Sequence, residues 1–205
     1  MNLFQSAKLL LALAGFALLG AGLQSSVGNS AAEDEAVQVG KEVAAELMRN
    51  LKKALTEAMQ KGGAKAAIQV CKMEAPRLTQ STSANFPDIK VRRISLKFRN
   101  PENRPDSVDQ VVLAEFARLK EGGDPLPEYS IRKGAMEGMP VYRFYQPIVV
   151  SGFCLNCHGS RNTMSTDVIK VLESEYPEDR AVDYLAGDLR GVISVEIPEH
   201  TLVHK

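Results

Sequence analysis

Two of the chain's three cysteines and one of its three histidines fall within five positions, as Cys154, Cys157 and His158 in the stretch SGFCLNCHGS, residues 151–160. A C-x-x-C-H run is the attachment signature of c-type haem. The spacing has a physical reason. Two thiols must reach the two vinyl groups on one edge of a porphyrin, which needs a short helical turn. The histidine that follows then lies under the iron and supplies the proximal nitrogen. Three rival chemistries use similar residues. A thioredoxin-like redox pair shares the C-x-x-C, but it normally follows a strand in a βαβ context, and no such context is seen here. A zinc site could recruit Cys71 with Cys154, Cys157 and His158, yet adjacent Cys157 and His158 are poorly placed to bind one tetrahedral ion. A disulfide between Cys154 and Cys157 would close a tiny, strained loop. The residues therefore favour one covalently bound haem c.

That leaves Cys71. A lone thiol in an oxidising compartment is a liability unless it is buried or occupied. It can be a small core residue, as free cysteine often is. It can also be a sixth iron ligand, because Ala67 and Ala75 flank it one turn away on either side and would let a flat porphyrin lie close. The residues alone leave both readings open. Met136 and Met139 in a glycine-rich stretch, and His200 and His204 near the C-terminus, are further ligand types. Loop packing and terminal disorder are the ordinary explanations for them. Arg92, Arg93 and Arg99 suit haem propionates, since guanidinium matches carboxylate. A solvated strand and loop edge is the plain alternative for each.

The elements that must position these groups are readable in outline. The segment EDEAVQVGKEVAAELMRNLKKALTEAMQKGG carries Val39, Val43, Leu47, Leu51, Leu55 and Met59 at helical spacing. Glu33, Asp34 and Glu35 at its start and Lys61 at its end suit the helix dipole, and Gly62 and Gly63 stop it. A second helix, AKAAIQVCKMEAP, lines one face with Ala64, Ala67, Cys71 and Ala75. Val91, Arg93 and Ser95 alternate with Arg92, Ile94 and Leu96, a strand pattern, and RNPENRPD is a loop. SVDQVVLAEFARLKEGG predicts a helix with a Ser107–Gln110 capping box and a buried stripe of Val108, Val111, Val112, Phe116 and Leu119. MPVYRFYQPIVV predicts a strand pair or a bent strand interrupted at Pro147. A short helix capped at Ser165 or Thr166 and stopped by Pro177 follows the cysteine segment, and Val192 to Ile197 form a last strand. Helices first and antiparallel strands later make the class α+β.

Composition is that of an ordinary soluble globular protein, with 44% hydrophobic and 24% charged residues. A formal charge of zero offers no footprint for nucleic acid or an acidic membrane surface as partner. The N-terminus differs. MNLFQSAKLLLALAGFALLGAGLQSSVGNSAA carries one charge, Lys8, then an apolar core from Leu9 to Leu19, then small and polar residues. Residues 1–32 read as a secretory signal peptide, with Ser30 and Ala32 suited to positions −3 and −1 of the cleaved bond. The core is short for a bilayer, and no cysteine nearby suggests a lipid anchor. The expectation is a mature chain of residues 33–205 that lies in the periplasm or is otherwise secreted, with no membrane span.

The stretches AAIQVCKMEAP, VRRISLKFRNPENRPD, CLNCHG and GDLRGVISVEIP occur in the order of the successive motifs of the Tll-type c-haem domain family, which the chain resembles over roughly residues 40–198. The resemblance implies an extracytoplasmic domain with a PAS-like fold, N-terminal helices packed on an antiparallel sheet. It also implies iron held by the histidine of the attachment motif and by a cysteine of the early helix, here His158 and Cys71. Family members occur alone or as sensor inputs, so the implied role is redox or small-ligand sensing through a His/Cys-ligated iron. CO or NO on the reduced haem would be the small ligand, and a separate redox or signalling protein the partner. A low-potential single-electron carrier is the alternative. A haem enzyme is disfavoured, because six-coordinate iron leaves no open position and no peroxidase-like distal His/Arg pair is found.

Overall fold

The computed structural model describes residues 30–202. The body of the expected signal peptide, residues 1–29, and His204 lie outside the described residues. Helix α1 (Ala31–Asn85) starts at the N-cap Ser30, whose hydroxyl accepts from the backbone N–H of Glu33. Gly62 and Gly63 then leave helical geometry, Gly63 at φ 64° and ψ −158°, a region that favours glycine. The helix thus breaks into two arms, where the two glycines were expected to end it. The arms lie antiparallel, with Asn85 Nδ2 donating to Glu46 Oε1 at 2.9 Å. The second arm runs past its expected end at Pro76. Proline withdraws one N–H from the helical ladder, yet buried Thr82 and half-buried Leu78 keep the arm packed beyond it.

Four strands, β1 (Lys90–Ile94), β2 (Ser130–Met136), β3 (Met139–Val149) and β4 (Leu189–Pro198), form one antiparallel sheet in the order β1-β4-β3-β2. With helices on both sides, the class is α+β, as expected. Alternation along the strands assigns the two faces. On one, Val91, Tyr142, Phe144, Ile193, Val195 and Ile197 are buried under the first arm of α1. There Gly40 lets helix and sheet approach closely: a Cβ at that position would sit 2.3 Å from Phe144 Cγ. On the other face, Ile94, Tyr145 and Val192 pack against Val112, Leu113 and Phe116 of α2 (Ser107–Gly122).

Four expectations are corrected. The N-cap of α2 is Asp106, not Ser107, and the reciprocal box is Asp106–Asp109. The face that packs on the sheet is Asp109, Val112, Leu113 and Phe116, which leaves Val108 and Val111 exposed. Pro147 does not interrupt β3, because β2 ends opposite Tyr145 and Pro147 lies beyond it, where no second ladder needs an N–H. Met136 and Met139 are not loop residues but the last paired positions of the β2–β3 hairpin, closed by Glu137 and Gly138. Strand β2 itself went unread, since its edge position leaves it half exposed with no alternating apolar pattern. Among the described residues no helix is long and apolar enough to cross a membrane.

Candidate functional site

After β3 the chain enters a 3-10 turn, Gly152–Cys154, that runs directly into the one-turn helix α3 (Leu155–His158). Cys154 and Cys157 come off this continuous turn three residues apart, so both thiols share one side of it. Each meets an apolar wall. Cys154 packs beside Val150, Ala181 and Tyr184. Cys157 packs beside Ile68 of the second arm of α1 and beside Val168, Leu172 and Tyr176, contributed by α4 (Thr166–Glu175) and its end. All three cysteines are free thiols and half-buried. Burial pushes the Cys157 thiol above its ordinary pKa, opposed by Arg99.

The imidazole of His158 is fixed in orientation and tautomer. Its Nδ1 lies 2.7 Å from the carbonyl oxygen of Ala181. A carbonyl only accepts, so Nδ1 carries the proton and Nε2 keeps a free lone pair. A hydrogen bond of this kind is the usual outer support of a metal-ligating histidine. Burial holds the ring well below the usual histidine pKa, and Arg190 and Arg99 push it further in the same direction, so the ring is neutral. Tyr184 meets it edge-on, with centroids 6.3 Å apart. The segment that supplies Ala181 also braces the turn through backbone bonds from Asp183 to Gly159 and from Tyr184 to His158.

Arg99 ties these parts together. Its Nη2 donates to the carbonyls of Cys157 at 2.6 Å and Ala181 at 3.2 Å, and it lies 3.0 Å from Asp179 Oδ2. Both side chains are buried.

Cys71 reaches this region from the second arm of α1, between buried Ala67 and Ala75. Burial raises its thiol pKa, while Arg93, Arg99 and Arg190 act to lower it. Cys71 and His158 therefore lie in the field of the same two guanidiniums, Arg99 and Arg190. Cys71 also acts on Cys157 and Tyr176. The structure thus brings Cys71, Cys154, Cys157 and His158 to one region. Among the described residues, however, no three His, Cys, Asp or Glu side chains converge as a metal-ion cage, the arrangement a zinc site would need.

The other candidates separate. Arg93 and Arg99 belong to the region, whereas Arg92 points to the opposite face and pairs with Asp106, Asp109 and Glu196. Met136, Met139 and His200 gather at the far end of the sheet. Val141, just after Met139, pairs with Pro198, while the cysteine turn follows the other end of β3. Ten residues of β4 separate those ends by roughly 30 Å at strand rise. His200 lies 3.8 Å from Asp88. Asp179, Ala181, Tyr184 and Arg190 were not foreseen. Arg190 could have been found, as a lone cation opening an apolar strand; Asp179 and Ala181 act from a loop that carries no pattern.

The donor set fits a haem held through two thioethers better than a bare ion. Two thiols share one side of a turn, a neutral imidazole presents Nε2, and guanidiniums with buried, unpartnered Nε atoms on Arg93 and Arg99 stand ready for carboxylates. A family model, Tll0287-like, matches residues 28–198. The fold is similar to that of the crystal structure of the cyanobacterial heme-protein Tll0287, with a TM-score of 0.55 and 22% identity over 83% of this chain and 97% of that one. No curated protein matches the chain.

Proposed function

This chain belongs to the Tll0287-like family, and from that premise we propose that it is an extracytoplasmic protein carrying one covalent haem c, in a PAS-like fold, that senses redox state or a small ligand. The observation that carries the reading is the single turn that delivers Cys154, Cys157 and the oriented His158, with Nδ1–H donated to Ala181. Bound there, a haem supplies one-electron redox chemistry and an iron able to take a diatomic ligand. The chain's own residues do the rest. Cys154 and Cys157 anchor, and His158 offers Nε2. Cys71 offers a second donor from the small-residue arm, while Arg99 and Ala181 hold the turn in place. The sheet order, in which the first strand pairs with the last, supports the PAS-like reading.

Produced with a c-type maturation system, the protein should keep its haem through acid–acetone extraction and denaturing electrophoresis. Cys154→Ala combined with Cys157→Ala should abolish attachment. Haem that extracts freely would sink the proposal. Cys71→Ala should leave the covalent haem and move the ferric spectrum toward a water-bound or five-coordinate form; an unchanged spectrum would return Cys71 to the core. A single-electron carrier is the second reading, favoured by the exposure of Gly152, Phe153 and Asn156 on the motif turn. Spectra of the reduced protein with and without CO separate the two, since a carrier keeps both iron ligands in both states.

A further inference from the structure

We propose that Arg93 is the residue that takes a propionate carboxylate of the bound haem, an inference that rests on the haem reading above. Arg92 and Arg93 are adjacent, and strand alternation sends them to opposite faces of β1. Arg92 is spent: its Nη2 lies 3.1 Å from Asp109, and its Nη1 3.6 Å from Asp106 and 3.7 Å from Glu196. Arg93 enters the face where Cys71 lies, and its Nε is buried with no hydrogen-bond partner. A buried N–H left unmade is costly, more so on a charged group.

The neighbouring cations cannot relieve it, and they are committed elsewhere. Arg99, whose Nε is also unpartnered, already spends its Nη2 on the carbonyls of Cys157 and Ala181 and on Asp179, whereas among the described residues no such contact engages Arg93. Arg190 donates to Ser95 Oγ at 2.9 Å and to the Lys97 carbonyl at 3.2 Å. The charges of three guanidiniums, Arg93, Arg99 and Arg190, thus act on Cys71, and Asp179, already paired with Arg99, sets one negative charge against them. Three positive charges against one negative leave a positive surplus beside Cys71. Burial lowers the pKa of Arg93 from its ordinary value, with Arg190 adding repulsion. The partner this geometry calls for is an anion with two coplanar oxygens, which a guanidinium fork matches bidentately, delivered by a group anchored at Cys154 and Cys157. A propionate is that group.

The test uses holoprotein of the wild type, Arg93→Gln, Arg93→Lys and Arg92→Gln. Three readouts are taken: covalent haem on denaturing gels, the propionate-bending band in resonance Raman, and the reduction potential. All four proteins should retain covalent haem. Arg93→Gln should shift the propionate band and lower the potential, because removing a cation beside the carboxylate favours ferric iron. Arg93→Lys should keep a potential nearer the wild type but still shift the band, since the fork is gone. Arg92→Gln should move neither. Loaded Arg93→Gln with the wild-type band and potential would overturn the assignment, as would an equal shift in Arg92→Gln. If Arg93→Gln fails to accumulate, a wild-type band in Arg93→Lys overturns it. Absence of covalent haem in the wild type is a different failure, that of the haem reading itself.

Discussion

Two groups of half-buried to buried arginines lie on opposite faces of the same sheet, and they are neutralised in opposite ways. On the α2 face, Arg92 and Arg143 meet Asp106, Asp109 and Glu196, and Tyr145 donates to Asp109 at 3.1 Å. On the Cys71 side, the charges of Arg93, Arg99 and Arg190 all act on Cys71, with Asp179 paired to one of them. Both groups pay desolvation for buried charge. The first recovers it from its own carboxylates, which makes it a structural lock between helix and sheet. The second does not, which makes it a place prepared for something negative. Charge balance, more than the presence of arginine, separates architecture from site.

The sharpest way to break this comparison is to unbalance the complete group. Asp109 is fully buried, accepts from Tyr145 and the Asp106 backbone, and pairs with Arg92. Asp109→Ala takes from Arg92 its nearest carboxylate, leaves the buried Tyr145 hydroxyl without its acceptor, leaves Arg92 and Arg143 only Asp106 and Glu196, and removes half of the capping box. Loss of one partner of a buried pair costs about 3–5 kcal/mol, and urea unfolding should read a loss in that range. A change below 1 kcal/mol would mean that the network is solvated and not a lock.

The next effect calibrates the α1 face by packing alone. Gly40→Ala pushes a Cβ into the Phe144 ring, and overpacking of this kind costs about 1–3 kcal/mol. A neutral result in thermal unfolding would show that the first arm of α1 can lift from the sheet. A smaller effect of opposite sign belongs to the incomplete group. In a haem-free chain carrying Cys154→Ala and Cys157→Ala, Arg93→Leu removes an orphaned cation. Replacement of poorly compensated buried charge by an apolar side chain is neutral or stabilising, so stability should hold or rise by up to about 1 kcal/mol. A clear loss would place Arg93 among the structural residues with Arg92.

How far the sequence could reveal this division differs from element to element. The Cys154, Cys157 and His158 spacing is a local signal, and the structure keeps it on one turn. The glycine pair at 62 and 63 marked the break in α1, because backbone freedom is written in single residues. Alternation in β1 separated Arg92 from Arg93, but nothing in the chain says which face receives α2 and which receives the Cys71 arm, since that depends on long-range pairing with β4. Strand β2 was missed for a related reason. An edge strand with Arg132, Lys133 and Gly134 has little apolar alternation, and only its partner β3 defines it. The cap of α2 was misplaced by one residue because Ser107 and Asp106 are both good N-caps. The choice falls to Asp106, which also receives Arg143 from the sheet.

That choice yields the smallest effect and a test of the balanced group by pH. Asp106 Oδ1 accepts from the Asp109 N–H at 2.9 Å, and its Oδ2 accepts from Arg143 Nη1 at 2.8 Å. Partial burial alone would raise its pKa. The Asp109 N–H, the Arg143 hydrogen bond and charge, and the Arg92 charge outweigh that and hold the carboxyl below its ordinary value. The folded state therefore binds this proton less readily than the unfolded chain. The stabilisation is fully present above the unfolded value of about 4, and it is lost as pH falls through the lowered folded value. The side chain is 39% exposed, so solvent screens its pairs and the effect stays small. Asp106→Asn keeps an oxygen for the cap and removes the charge. Urea midpoints between pH 7 and pH 2 should show the variant below the wild type at neutral pH and the two curves converging in acid. Curves that stay parallel would mean that the charge of Asp106 contributes nothing, and that the carboxylates holding the α2 face are the fully buried Asp109 and Glu196 alone.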